Sequence, residues 1–136
     1  MRKARPGSVI LIPLSGSRHV YARTFREATL AVFGTVWRTE AALTDVCAGE
    51  VAFYAAVFDT AIRSGEWPIV GYCPFSEGER SWSPPRNIED VLKPGTYRIY
   101  EEGVMRPASA GEVVGLEPVR IYKPEQLVER IEATLA

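Results

Sequence analysis

The sequence predicts an α+β fold, in which a strongly curved, barrel-like antiparallel sheet is accompanied by a C-terminal helix. Short segments rich in branched residues follow one another through turns that contain Gly, Ser and Pro, which is typical of strands. Residues 124–135 begin with proline and place their aliphatic residues at spacings of three and four, which is typical of a helix with one buried face. With 136 residues, of which 46% are hydrophobic, the chain fits a single domain over residues 1–136.

The first three strands are predicted from alternation and turn chemistry. Ser8–Leu14 and His19–Phe25 flank a Ser-Gly-Ser turn and indicate a hairpin. Thr29–Arg38 then alternates on two faces, and Gly34 in its middle indicates a bulge or a sharp bend. Three adjacent strands of this kind favour a small barrel.

The later elements are predicted from shorter signals. Asp59 is placed as an N-cap and Gly65 as the residue that ends a short helix. Ser109–Glu112 has the spacing of a capping box. The other predicted elements are a loop or short helix at Thr39–Gly49, strands at Val51–Phe58 and Trp67–Tyr72, the longest loop at Cys73–Lys93, a hairpin of Tyr97–Glu101 and Gly103–Pro107, a short strand at Val119–Tyr122 and the helix Pro124–Leu135.

The two cysteines, Cys47 and Cys73, show no Cys-x-x-Cys or Cys/His pattern, so neither a disulfide framework nor a zinc site is indicated. We expect two partly buried free thiols in a cytoplasmic protein, with a single bridge as the alternative. The basic N-terminus leads into only six apolar residues that include a proline, so no signal peptide is expected. No apolar run approaches the ~20 residues that span a bilayer.

Charge is unevenly distributed although the formal net charge is only −1. Residues 1–38 carry seven basic residues against Glu27 alone, which gives +6, whereas residues 39–136 carry −7. One interpretation is a small barrel that binds nucleic acid or a small ligand through an Arg/aromatic face on the first three strands. That face would combine Arg18, Arg23, Arg26 and Arg38 with Tyr21, Phe25, Phe33 and Trp37. The sequence pI of about 5.9 argues against nucleic acid as the partner.

No residue pattern predicts catalysis. The chain has no Gly-x-Ser-x-Gly elbow, no phosphate-cradling glycine motif and only one histidine, His19, which is expected to be an ordinary strand-end residue. Neighbouring acids such as Glu101 and Glu102 point to opposite faces of a strand and would not converge. We therefore expect a protein that is not an enzyme, without a metal site or a cofactor.

The long loop and the hairpin after it supply candidate contacts for a protein partner, because tryptophan and arginine are enriched at interface hot spots and acids steer basic partners. Whether Trp82 contacts a partner or folds back over an edge strand is left open. The candidate partner-binding residues are Glu77, Glu79, Arg80, Trp82, Arg86, Glu89, Asp90, Glu101 and Glu102.

Several ordered blocks resemble the immunity protein 26 family. They run from about Pro6 to Ile131, and the most telling are the Ser-Gly-Glu-Trp-Pro-Ile-Val-Gly run at residues 64–71 and the Gly-Leu-Glu at residues 115–117. The other blocks are Pro6-Gly7-Ser8-Val9 with Ile12-Pro13-Leu14, Val57-Phe58-Asp59, Leu92–Tyr100 and Val114 before Gly115.

The resemblance implies a mostly-β bacterial protein, encoded beside a polymorphic toxin, that binds and neutralises the cognate toxin domain in the cytoplasm of the producing cell. It leaves the toxin's identity and the oligomeric state open. No family pattern is recognised in Thr39–Gly49 or Ser76–Arg86, where partner specificity would be expected. The matching family residues have the character of turn, cap and core positions, and they are Pro13, Asp59, Gly65, Trp67, Gly71, Gly115 and Glu117.

Overall fold

The computed structural model describes residues 3–135 and arranges them in two open sheets with three helices. The strands are β1 (Ser8–Pro13), β2 (His19–Thr24), β3 (Thr29–Phe33), β4 (Val51–Val57), β5 (Ile69–Tyr72), β6 (Arg86–Glu89), β7 (Tyr97–Glu101), β8 (Val104–Ala108), β9 (Glu117–Pro118) and β10 (Ile121–Tyr122). The helices are α1 (Leu43–Cys47), α2 (Thr60–Ser64) and α3 (Pro124–Leu135).

The larger sheet has six strands in the order β10-β4-β3-β2-β1-β5. Its neighbours are antiparallel except β10 and β4, which run parallel. The predicted third strand ends early, at Phe33, because its pairing with β4 shifts register between Val32 and Phe33. Beyond Gly34 the chain meets β2 again only through a single bridge between His19 and Trp37. The bend therefore lies where the glycine predicts it.

Both faces of the larger sheet are covered, which explains why its central strands are hydrophobic at successive positions. On one face Ile10, Val20 and Leu30 pack in the main core, together with residues of α2 and α3. Leu127 and Ile131 of α3 are fully buried there, as the helical spacing predicts. On the other face a smaller cluster of Val9, Tyr21, Phe33, Val46 and Cys73 lies beneath α1.

The smaller sheet has four strands in the order β8-β7-β6-β9, with β6 and β9 parallel. The hairpin β7–β8 is confirmed, and its turn lies at Glu102-Gly103. The single long loop predicted at Cys73–Lys93 is wrong, because β6 lies inside it and pairs with β7. β6 has the sequence Arg-Asn-Ile-Glu, so only one aliphatic residue marks it as a strand.

The mixed α/β, mostly sheet architecture with a C-terminal helix is confirmed. Each sheet has two free edges in the part of the chain that is described, β10 and β5 in one sheet and β8 and β9 in the other, and no closed barrel is formed. Two parallel pairs also depart from the purely antiparallel sheet that we expected. Each joins strands that are distant in sequence, so local alternation could not reveal them.

The expectation of two free thiols is wrong, because Cys47 and Cys73 form a disulfide. Cys47 ends α1 and Cys73 directly follows β5, so the bond fastens the helix to the end of an edge strand. The two cysteines are separated by 26 residues and meet through the folding of the sheet, which explains why their spacing carried no signal.

The three predicted capping positions differ in the hydrogen bonds and backbone geometry that they show. Gly65 ends α2 in the left-handed conformation, with a φ of 86°, as predicted. Asp59 occupies the N-cap position of α2, but its side chain makes no capping hydrogen bond, so its predicted capping role is wrong. Ser109 and Glu112 form the reciprocal capping box: each side chain accepts a hydrogen bond from the other residue's backbone N–H, at 3.3 and 2.9 Å.

Replacing Gly7 by alanine is expected to destabilise the fold by about 2 kcal/mol, because left-handed backbone and overpacking each carry a cost. Gly7 has a φ of 97°, and an added Cβ would lie 2.4 Å from the Tyr72 ring and 3.1 Å from the carbonyl oxygen of Cys73. The matched control is Gly65→Ala, which has a φ of 86° but no atom within 4 Å. Urea unfolding of both variants separates the steric cost from the conformational one, and equal losses would contradict this account.

Candidate functional site

The bridging loop, residues 73–85, connects β5 of the larger sheet to β6 of the smaller one and is organised around Arg23 of β2. The Arg23 guanidinium donates hydrogen bonds to the carbonyl oxygens of Cys73 and Pro74, at 3.1 and 2.9 Å. It also forms an ion pair with Glu79, at 2.8 Å, and lies 3.8 Å from the centre of the Phe75 ring. Arg23 therefore holds the first half of the loop in place.

Arg26 holds the second half of the bridging loop. Its backbone N–H donates to the carbonyl of Ser81 at 2.9 Å, and its Nε donates to the Ser81 hydroxyl at 2.8 Å. The guanidinium lies 5.0 Å from the centre of the Trp82 ring, close enough for a cation–π contact. Arg80 of the same loop forms an ion pair with Glu102 at the β7–β8 turn. The loop thus joins the two sheets.

The predicted contact residues therefore have unequal surroundings. Glu79, Arg80 and Glu102 are bound within the chain by the ion pairs above. Trp82 is half-buried against Arg26. Arg86 is only 8% exposed, and its guanidinium lies 5.3 Å from the centre of the Tyr100 ring. These side chains therefore already have contacts within the chain.

Four other predicted residues offer carboxylates at the surface. Glu77 is exposed and has no side-chain hydrogen bond or ion pair within residues 3–135. Glu89 accepts a hydrogen bond from the N–H of Gly95 at 3.1 Å, and Asp90 accepts one from the N–H of Leu92 at 2.9 Å, so both fix the β6–β7 turn. The carboxylate of Glu101, which precedes the β7–β8 turn, lies 3.9 Å from the guanidinium of Arg106. The carboxylates are thus spread over the loop and both ends of the smaller sheet.

Exposed aliphatic side chains accompany these acids, and sequence reasoning missed them. We call them the apolar tips: Val91 and Leu92 in the β6–β7 turn, 89% and 92% exposed, and Val104 and Met105 after the β7–β8 turn, 64% and 56% exposed. Exposed large aliphatic residues mark an interaction surface where they lie next to one another, and each of the two turns carries one adjacent pair. The available signal was the Val-Leu pair inside an otherwise polar turn at residues 90–96.

The Arg/aromatic face proposed for the first three strands is largely inside the protein. Tyr21, Phe25 and Phe33 are buried, and Phe25 makes edge-on contacts with the rings of Tyr54 and Phe75. Buried rings of this kind cannot stack on the bases of a nucleic acid without rearrangement.

His19 lies at the start of β2, as expected. Its Nε2 is 3.1 Å from the hydroxyl of Tyr21, and the two rings meet edge-on at 5.1 Å. Both contacts are ordinary packing of a strand-end side chain.

The residues on which the family resemblance depends occupy core, turn and strand-end positions. Trp67 is in the main core, and an added Cβ at Gly71 would lie 2.8 Å from the side chain of Leu43. Glu117 of β9 forms an ion pair with Arg130 of α3 at 2.6 Å, which fastens the C-terminal helix to the smaller sheet. Pro13 is exposed at the end of β1, and Gly115 has a φ of 80° in the turn before β9.

Acidification is expected to weaken the bridging loop through Glu79. The hydrogen bond from Arg23, followed by that from the N–H of Ser76, lowers the pKa of Glu79 below its ordinary value. A carboxyl with a lowered folded-state pKa stabilises the fold above its ordinary pKa, and this stabilisation is lost as the pH falls through the lowered value. The free energy of unfolding should therefore decrease over the pH range below the ordinary Glu pKa of 4.5.

The Glu79→Gln variant should lose less stability than the parent protein over that pH range. Glu77→Gln, which removes an exposed carboxylate without an ion pair in the described chain, is the matched control and should follow the parent protein. Urea unfolding across the pH range makes the comparison. Ser109 likewise lowers the pKa of Glu112, and Ser15 that of Glu132, so part of the acid loss remains in both variants.

Residues 3–135 contain no group of three or more His, Cys, Asp or Glu side chains placed to hold a metal ion. Among the helices of this range, none combines the length and apolar character needed to cross a membrane. Comparison of the chain with protein-family models, with curated proteins and with solved structures finds no match.

Proposed function

We propose that the protein is a non-catalytic immunity protein that binds and neutralises a cognate toxin domain in the cytoplasm of the producing cell. The observation that carries the proposal is the combination of apolar tips with exposed carboxylates on the smaller sheet and the bridging loop. The resemblance to the immunity protein 26 family indicates the class of partner, a toxin domain.

The apolar tips place exposed aliphatic side chains beside carboxylates. Val91 and Leu92 directly follow Glu89 and Asp90, so aliphatic and acidic side chains share one turn. A partner would bury the aliphatic groups and remain in contact with the polar rim. Because β6 and β8 both run antiparallel to β7, the two turns lie at opposite ends of the smaller sheet. A partner that covers both tips would therefore extend along the hairpin.

The edge strand β8 offers a second kind of contact. It pairs only with β7, so one side of its backbone is available to a strand of another chain. Pro107 lies in β8 and lacks an N–H, which reduces indiscriminate edge-to-edge pairing while leaving the rest of the strand open.

Charge supports a basic partner. The bridging loop and the smaller sheet, residues 73–118, carry eight acidic and five basic residues, a formal charge of −3. Complementary charge mainly accelerates association and makes it sensitive to salt. A toxin domain with a cationic active surface, such as a nuclease, fits this surface best.

The test is binding of the purified protein to the C-terminal domain of the polypeptide encoded immediately upstream, measured by calorimetry at two salt concentrations. We expect nanomolar binding that weakens with salt. Glu77→Lys should slow association at low salt, whereas Glu66→Lys, near the end of α2, should not. Absence of binding by correctly folded protein would overturn the proposal, and an unchanged association rate for Glu77→Lys would remove Glu77 from the contact surface.

Truncation of the apolar tips is expected to weaken binding to the toxin domain. Leu92→Ala and Met105→Ala should each lower affinity by about tenfold, mainly through faster dissociation, because buried interface anchors dominate binding energy. Val70→Ala on β5 is the matched control, because Val70 is also exposed but belongs to the larger sheet. Surface plasmon resonance gives both rates, and equal losses in all three variants would contradict this placement of the interface.

A further inference from the structure

A cavity of about 480 Å³ opens between residues 3–6, the β2–β3 turn and α2. Its apolar lining includes Leu30, Val57 and Ile62, all of which are buried members of the main core. Trp82 of the bridging loop also lines it. The volume falls within the range of roughly 300–1,000 Å³ that is usual for small-molecule sites.

The described basic residues of segment 1–38 differ in their partners. Arg18 and Arg23 form ion pairs with carboxylates elsewhere in the chain. Lys3, Arg5 and Arg26 have no carboxylate within ion-pair distance among residues 3–135, and all three line the cavity. Three basic residues of the N-terminal segment therefore meet at the cavity, whereas Arg38 does not line it.

Two carboxylates also line the cavity. Glu27 accepts a hydrogen bond from the hydroxyl of Tyr100 on β7, with an oxygen–oxygen distance of 2.6 Å. Asp59 immediately precedes α2 and is exposed. With four cationic and two anionic residues in its lining, the cavity carries a net positive charge.

Arg26 is held in a geometry suited to an anion. Its Nε is engaged by the Ser81 hydroxyl, and its guanidinium lies over the Trp82 ring. The two terminal amino groups have no hydrogen-bond partner in the part of the chain that is described. Arg5 also lines the cavity, but its guanidinium lies 4.5 Å from the centre of the Tyr72 ring, which is not part of the lining. Guanidinium groups bind carboxylates and phosphates through two parallel N–H donors.

We propose that this cavity binds a small amphipathic anion, with an apolar body against Leu30, Val57 and Ile62 and a carboxylate or phosphate group bound by Arg26 and attracted by the charge of Arg5. The site is separate from the apolar tips and does not depend on toxin binding. The acidic binding surface does not explain why the N-terminal segment is basic, and anion binding gives that segment a role.

Three ligands with one ring system test the proposal: 1-naphthyl phosphate, 1-naphthoate and neutral 1-naphthol. Calorimetry on the full chain should give measurable binding of at least one anion, and binding of 1-naphthol that is about tenfold weaker or more. The relative affinities of phosphate and carboxylate identify the headgroup. In NMR spectra, the shifts should concentrate at the Trp82 indole and the Arg26 Nε.

Variants locate the binding. Arg26→Gln and Arg5→Gln should each weaken the preferred anion by about tenfold and leave 1-naphthol unchanged. Arg38→Gln is the matched control, because Arg38 is exposed, belongs to the same basic segment and does not line the cavity. The Arg5 variant is included because Arg26 also supports the bridging loop, so that Arg26→Gln alone could weaken binding by disturbing that loop. No anion binding, equal binding of the neutral ring, or an equal loss in Arg38→Gln would overturn the proposal.

Discussion

Replacing Trp67 by alanine is expected to lower the free energy of unfolding by about 3–5 kcal/mol, the range for removal of a large aromatic side chain from a core. Trp67 is only 2% exposed and is the largest fully buried side chain among residues 3–135. It packs in the main core with residues of the larger sheet, α2 and α3, so its removal leaves a cavity among them. Its backbone N–H also donates to the carbonyl of Ala61 at 3.0 Å and thereby ties the chain to α2.

Urea unfolding followed by circular dichroism measures this loss. Trp67→Phe should recover part of it, because an aromatic ring remains in the core. Trp37→Ala is the control, because Trp37 is only partly buried at the margin of the smaller cluster. A loss in Trp67→Ala no greater than that in Trp37→Ala would show that the core closes around the missing indole.

Opening the disulfide is expected to cost about 3 kcal/mol of stability. The bond closes a loop with a sequence separation of 26 residues, and a cross-link of this length restricts the unfolded chain substantially. Cys73 is also buried in the smaller cluster, so reduction leaves a thiol in place of a fixed contact between α1 and β5. Loss of the bond should therefore loosen α1 more than the main core.

The Cys47→Ala/Cys73→Ala variant and reductant-treated protein should show the same lowered urea midpoint, whereas the variant should not respond to reductant. Unchanged stability in the double variant would contradict a structural role for the bond. The result also bears on the proposed compartment, because the cytoplasm keeps most thiols reduced. Neutralisation there requires that the reduced form still be folded and still bind the toxin domain.

Much of the fold was predictable because it rests on local patterns. The central strands are hydrophobic at successive positions and are bounded by turn residues, and α3 carries its apolar stripe at helical spacing. β6 was missed because pairing with β7, rather than its own composition, makes it a strand. The disulfide and the two parallel pairs likewise depend on contacts between distant residues.

The candidate site was less predictable. Charge and aromatic content single out Arg23 and Arg26, but composition could not show that both side chains contact the bridging loop. The acids Glu79 and Glu102 were treated as free charges, although both are paired within the chain. Whether a charged side chain is free depends on which residues lie near it in the folded chain, and a single sequence does not show those neighbours.

The division of the molecule into two sheets of unequal burial has a consequence for hydrogen exchange. The larger sheet is enclosed by cores on both faces, whereas the smaller one contributes few buried side chains, among them Ile99 and Arg86. Backbone amides of β6–β8 should therefore exchange through local opening, whereas those of β1–β4 should exchange only through global unfolding. A partner that docks on the smaller sheet would suppress the local route, so its footprint would be recorded as slowed exchange in the least protected part of the protein.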